Sequence, residues 1–247
     1  MVNDTLVIDS ESIPAMAYKG GFEIRKILIG KNVKTIGAEA FAMCPNLQSI
    51  EVDIDNECFT SGEGSNAIID KVSGVLLTGC YTTVIPHQVT EIGPFAFCGQ
   101  TRIESVRIPS NVRKVSAYAF DGCSNIIEII LEEGVECLSE YCFRNATNLQ
   151  IVRFPSSLHE IERTAFGVEM IAEQGEGECS VDFVGGPEKI ATIYYSGTKS
   201  QYRDFQGWLN SSLNPADKEN VVVICKDGVY NDDQSVPDDT FWETGIF

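Results

Sequence analysis

Ile85-Pro-His-Gln-Val89, Ile108-Pro-Ser-Asn-Val112, Leu131-Glu-Glu-Gly-Val135 and Phe154-Pro-Ser-Ser-Leu158 are one phrase repeated at intervals of 23 residues. Each copy continues alike. An apolar residue follows three later, at Ile92, Val115, Leu138 and Ile161. A small residue and a phenylalanine come next, as Ala96-Phe97, Ala119-Phe120, Cys142-Phe143 and Ala165-Phe166. Six residues past the first three phenylalanines stand Ile103, Ile126 and Leu149, and three further on Val106, Ile129 and Val152. A fixed period outranks local propensity, because no single unit can bury its apolar residues and a stack of units can. The 247 residues therefore predict one elongated body with a shared core rather than two domains.

Outward from this stretch, an earlier copy starts at Ile29 and runs through Val33, Ile36, Ala40-Phe41, Cys44, Leu47 and Ile50. From Phe41 to Phe97 is 56 residues, one period plus 33. The excess is assigned to an insertion at 53–84. Within it, residues 66–79 read as a β-hairpin, with strands at Ile68-Ile69 and Val75 to Leu77 and a turn at Lys71 to Gly74. It is either an elaborated rung or a projecting recognition element. Residues 1–23, broken by Pro14 and Gly20-Gly21, are expected to cap the first rung.

Beyond Phe166 the register lapses, and Ile190, Ile193 and Tyr195 resume it. The insertion between, 167–186, has five acids and no Lys or Arg and is expected as a solvated loop. Its spacing matches no EF-hand, so no metal is assigned. Lys199 to Ser211 reads as a helix with Tyr202, Phe205, Trp208 and Leu209 on one face. The run Val221 to Cys225 reads as a strand. Together, within 196–228, they are expected to cap the far end. The tail, 229–247, has five acids, no base and the pair Phe241-Trp242, and is too polar to make its own core.

Inside a rung, Ile103, Val106 and Ile108 occupy positions one, four and six of a Leu-x-x-Leu-x-Leu pattern and are expected to point inward. Positions three and five then point outward, since side chains alternate along a strand. Pro109 ends the strand by removing a donor. Val112 and Val115 form an opposite wall, and Ala119-Phe120 fills the far side. The expected class is an α/β solenoid with 23-residue rungs, strand-rich, with short helical turns on its convex side.

The detailed pattern Ile-Pro-x-x-Val-x-x-Ile-x-x-x-Ala-Phe-x-x-Cys-x-x-Ile-x-x-Val resembles the BspA-like, bacterial surface-antigen class of leucine-rich repeats. The hairpin leading to Val84-Ile-Pro, the stretch Tyr195 to Tyr202, and Val223-Ile-Cys-Lys-Asp-Gly228 resemble it too. Leu131-Glu-Glu-Gly in place of Ile-Pro, and Cys142 for Ala, depart from it. The resemblance implies protein–protein or glycan binding, or adhesion, at a bacterial cell surface. The start of the chain carries no signal-like n-region or h-region, so a cytoplasmic location is the alternative.

Composition narrows the classes. With 36 acids against 18 bases, a formal charge of −18, the chain is a poor match for nucleic acid or anionic membranes. No run has the ~18 apolar residues of a membrane span. The charge serves solubility or a basic partner. Nine cysteines without a Cys-x-x-Cys argue against structural zinc. Cys44 and Cys123 share a repeat position with Ala146, which marks a small buried slot. Most thiols are read as free and buried; a disulfide ladder between rungs ~4.8 Å apart is the alternative.

No catalytic set assembles. His87 and His159 occupy different repeat positions on distant rungs. Cys137 near His159 is the one Cys–His candidate, and it sits among wall residues where thiols are inert. No cofactor is expected, and the chain is read as a binding module, with a spacer that presents its hairpin or tail as the alternative. The candidate site is the outward face of the strands on the concave side. There Ile130, Ile151 and Tyr194 cluster with Arg153, the residue types of interface hot spots.

Overall fold

The structure is a computed structural model that describes residues 4–62, 64–162, 164–174, 178–184, 186, 190–212 and 221–230. Each turn of the chain gives a longer strand to one sheet and a two-residue strand to another. The N-terminal part is β1 (Thr5–Ile8), β2 (Ser12–Ile13), β3 (Lys26–Ile29), β4 (Thr35–Ile36) and β5 (Ser49–Val52). β1, β3 and β5 form one parallel sheet, and β2 pairs with β4. The segment expected as a cap at 1–23 is thus, from Asp4 on, a rung. Ile13 pairs with Ile36, 23 residues on, but Ile8 pairs with Ile29, only 21 on. A turn two residues shorter hid the repeat.

The insertion holds β6 (Phe59–Thr60), β7 (Ala67–Asp70) and β8 (Val75–Gly79), paired antiparallel. β8 then runs parallel to β9 (Glu91–Ile92), so the hairpin is built into the wall as an elaborated rung. Its turn is closed by Asp70, whose carboxylate accepts from the Val72 and Ser73 amides at 2.9 and 2.7 Å. Ile68, Ile69 and Leu76 are buried. β7 also divides the interior. Ile68 joins the apolar cluster of Ile27 and Phe41, while Ala67 and Ile69 join that of Phe97 and Phe120.

Next come β10 (Ser105–Ile108), β11 (Lys114–Val115), β12 (Glu128–Leu131), β13 (Cys137–Leu138), β14 (Ile151–Phe154) and β15 (Glu160–Ile161). β10, β12 and β14 lie parallel in one sheet, and β9, β11, β13 and β15 continue the other. Burial alternates as the pattern requires: in β10, Val106 and Ile108 are buried while Ser105 and Arg107 are exposed. Behind the strands the phenylalanines stack. Phe120 lies 4.7 Å from Phe97 and 5.2 Å from Phe143, ring planes nearly parallel. Phe166 follows Phe143 at 5.7 Å.

The turns that carry these rings are not the short helices expected. Tyr118 and Gly122 stand at φ 59° and 75°, and the turns of Phe41, Phe97 and Phe143 repeat this pair of left-handed residues, at Glu39 and Met43, Phe95 and Gly99, and Tyr141 and Asn145. A backbone of that hand cannot propagate an α-helix. Gly99, at φ +75°, also has no room for a side chain, since a Cβ there would lie 2.7 Å from the Met43 Cα. Gly122 has the same φ, and its nearest neighbour would be 3.6 Å away. Gly99→Ala is therefore expected to cost on the order of 2 kcal/mol, and Gly122→Ala about half of that. Urea denaturation of the two variants orders them; equal midpoints would contradict the packing argument.

The segment expected as an acidic loop at 167–186 instead contains β16 (Val168–Gln174) and β17 (Glu178–Val184), an antiparallel pair. The alternation in Glu178-Cys-Ser-Val-Asp-Phe183 was the signal: its period is two, whatever its charge. β18 (Thr192–Tyr195), α1 (Lys199–Ser212), β19 (Val222–Cys225) and β20 (Gly228–Tyr230) complete the chain. Tyr202 and Phe205 of α1 are buried, and Phe205 stacks on Tyr195 at 5.1 Å. The side chains of Trp208 and Leu209, and the tail beyond Tyr230 with Phe241 and Trp242, lie outside the described residues, whereas Val229 and Tyr230, expected in the tail, belong to β20. β19 is a further parallel strand beside β18 rather than a separate end piece, and β20 folds back on it.

Among the described residues, eight cysteines are free thiols, all buried except Cys58 and Cys137. Cys44, Cys123 and Ala146 fill the small slot, each fully buried. In the turn between Cys44 and Cys123, Gln100 takes that place, and its side-chain amide donates to the Cys44 carbonyl at 2.9 Å. Burial is the first cause that raises the thiols, Cys98 and Cys225 to about 12 and Cys137 to about 11. Thiolate is the reactive form. A thiol reagent at pH 8 is expected to find nine groups in denaturant without reductant, and at most two of the eight described thiols, Cys58 and Cys137, reacting quickly in the native protein. Release of most thiols only by reductant would show a disulfide ladder.

Candidate binding face

The outward side chains of β10, β12, β14, β18 and β19 form two rows, because the strands are parallel and in register. One row is Ser105, Glu128, Ile151, Thr192 and Val222. The other is Arg107, Ile130, Arg153, Tyr194 and Ile224. Ile130, Arg153 and Tyr194 are thus consecutive across three strands. Ile151 stands in the neighbouring row, diagonal to Ile130. All four are half-buried, since each leans on its cross-strand neighbours.

Arg153 is the best-held of them. Its Nε donates to Glu128 Oε1 at 2.9 Å, and its guanidinium lies 4.0 Å above the Tyr194 ring. Arg107, one strand beyond Ile130, pairs with Glu132. Arg107, Glu128, Ile130, Glu133, Arg153 and Tyr194 line an open groove of about 550 Å³. Ile151 is not part of that lining.

The departure at Leu131-Glu-Glu-Gly has a structural purpose. Glu132 accepts from the Ser110 amide at 3.1 Å in the preceding rung. Glu133 accepts from the Ser156 and Ser157 amides at 3.0 and 3.2 Å in the following rung, and from the Ser196 hydroxyl. Burial pushes the Glu133 carboxyl up, but these donors outweigh it and hold the group below the usual carboxylate range. The pair of glutamates joins two rungs across a turn that has no proline.

Sequence reasoning missed two members of the face. Val222, 47% exposed, and Ile224 extend the rows onto β19. The unbroken apolar run Val221 to Cys225 concealed which side chains alternate outward. The Cys–His candidate is not brought together. Cys137 is half-buried and paired with Glu160 in register, and His159 Nδ1 lies 2.9 Å from the Ser157 carbonyl. Among the described residues, no group of three or more His, Cys, Asp or Glu is placed to hold a metal ion, and no helix is long and apolar enough to cross a membrane.

A family model described as BspA type leucine rich repeat region matches in six copies over residues 5–71 and 78–174. Among solved structures, a leucine rich cell surface protein of Faecalibacterium prausnitzii is similar at TM-score 0.51 and 21% identity, over 78% of this chain and 53% of that one. The pneumococcal vaccine antigen PcpA is similar at TM-score 0.49 and 15% identity, over 89% and 59%. A leucine-rich repeat protein of Eubacterium ventriosum is similar at TM-score 0.40 and 17% identity, over 56% and 48%. The chain spans about half the length of these solved structures. At such identities the likeness is one of fold. No curated protein matches the chain.

Proposed function

Because the chain belongs to the BspA-type leucine-rich repeat family, we propose that it is a non-catalytic binding module that engages a protein partner through the outward face of β10, β12, β14, β18 and β19. The observation that carries this is the row Ile130, Arg153, Tyr194, in which a guanidinium is held over an aromatic ring beside an aliphatic side chain. Aromatic and arginine anchors supply most interface energy, and holding them in place beforehand reduces the ordering cost of binding. The inserted hairpin supports this choice over a spacer role, since its strands are wall and core.

The test is differential capture. The intact chain is immobilised beside an Ile151→Ser, Tyr194→Ser variant, and proteins retained by each are compared. A partner held by the wild type and lost by the variant supports the face. Partners held equally by both would overturn it.

A further inference from the structure

The net charge of −18 would draw basic partners from a distance. At physiological salt that attraction is screened beyond ~8 Å. Inside the groove, hydrogen-bonding capacity at contact decides instead. The nearby carboxylates are already engaged: Glu128 by Arg153, Glu132 by Arg107 and the Ser110 amide, and Glu133 by three serines. The guanidiniums are not used up. Each has five N–H donors and no acceptor. Among the described residues, Arg153 bonds only through Nε to Glu128, and Arg107 only through one terminal nitrogen to Glu132. Spare donors from two strands, β10 and β14, therefore line one groove within a single row, with Ile130 between the arginines and Tyr194 beyond.

A half-buried arginine gains most from a charged acceptor, because charge-assisted bonds to a planar carboxylate are short and can be bidentate. An incoming ammonium would find each of these carboxylates already paired with a donor of this chain and would meet two guanidiniums. We propose that the groove recognises an acidic side chain carried next to an apolar one on the partner, the carboxylate meeting Arg107 and Arg153 and the apolar group lying on Ile130 and Tyr194. This rests on the outward face being the binding surface, and it reverses the expectation of a basic partner drawn from net charge.

The probes are three blocked dipeptides, acetyl-Phe-Asp-amide, acetyl-Phe-Asn-amide and acetyl-Phe-Lys-amide. Each is titrated into the full chain at 0.15 M salt while the arginine Nε–H resonances are followed. The Asp probe is expected to bind in the millimolar range, to shift the Arg107 and Arg153 signals, and to bind at least fivefold tighter than the isosteric Asn probe. The Lys probe should be weakest. In Arg153→Lys, which keeps the charge and loses the planar fork, the preference for Asp over Asn should fall to less than twofold. Equal or tighter binding of the Asn or Lys probe, or no shift at either arginine, would overturn the inference. Differential capture of a partner by the face is a separate readout, so loss of the carboxylate preference with capture intact would sink the chemistry alone.

Discussion

Phe120→Ala is expected to lower the unfolding free energy by about 3–5 kcal/mol. Phe120 is 2% exposed and lies between two parallel rings. Truncation removes both ring contacts, each contributing ~0.5–1.5 kcal/mol beyond the area buried. It also leaves a void where the backbone on either side is held by bonds to adjoining rungs, Phe97 N to Ala119 O at 2.7 Å and Phe120 N to Cys142 O at 2.8 Å. The site can collapse only by shifting three rungs, so the cost should lie in the upper half of the range. Stability in a repeat array passes through nearest-neighbour interfaces. Hydrogen exchange should accordingly rise most in β10, β12 and β14. The first rungs, whose apolar cluster lies beyond the inserted hairpin, should be least affected. A loss spread evenly from β1 to β19 would contradict the divided interior.

The second large effect is on binding. Ile151→Ser with Tyr194→Ser should weaken the captured partner by more than tenfold, about 1.4 kcal/mol or more. Tyr194 supplies the ring on which Arg153 rests, so its loss also frees the guanidinium. Ile151 anchors the neighbouring row between Glu128 and Thr192. Both side chains are half-buried, so a modest loss of stability should accompany the change. Thermal unfolding of the variant must therefore precede its titration. An intact fold with unchanged affinity would move the contact surface elsewhere.

Much of this was legible because identical constraints recur. Position six of the strand, the small residue and the phenylalanine each face the same neighbours in every rung, so the period survives substitution. The outward rows followed from strand alternation alone, and Ile130, Arg153 and Tyr194 stand side by side as the register requires. The failures have equally definite causes. The first rung was taken for a cap because two residues are missing from one turn, which breaks the count without breaking the pairing. The five acids of 167–186 predict a solvated loop, but the period-two alternation within it is what the antiparallel pair β16 and β17 follows. The turns share i to i+3 bonds with helices, such as Asp121 N to Tyr118 O at 3.1 Å, but the left-handed residues that stop them from being helical, Tyr118 and Gly122, are not displayed by sequence. The acceptor capacity of the glutamates was unreadable, because Glu132 and Glu133 meet their partners only when rungs stack.

Site-specific photo-crosslinking tests the binding face most directly. A photoreactive phenylalanine is placed at Tyr194, and in a second protein at Val72, which is 94% exposed at the tip of the inserted hairpin. Each is irradiated with the captured partner. Covalent capture at position 194, with little at 72, is the expected result. Capture at 72 and none at 194, in two equally folded proteins, would contradict the account and place the contact on the hairpin.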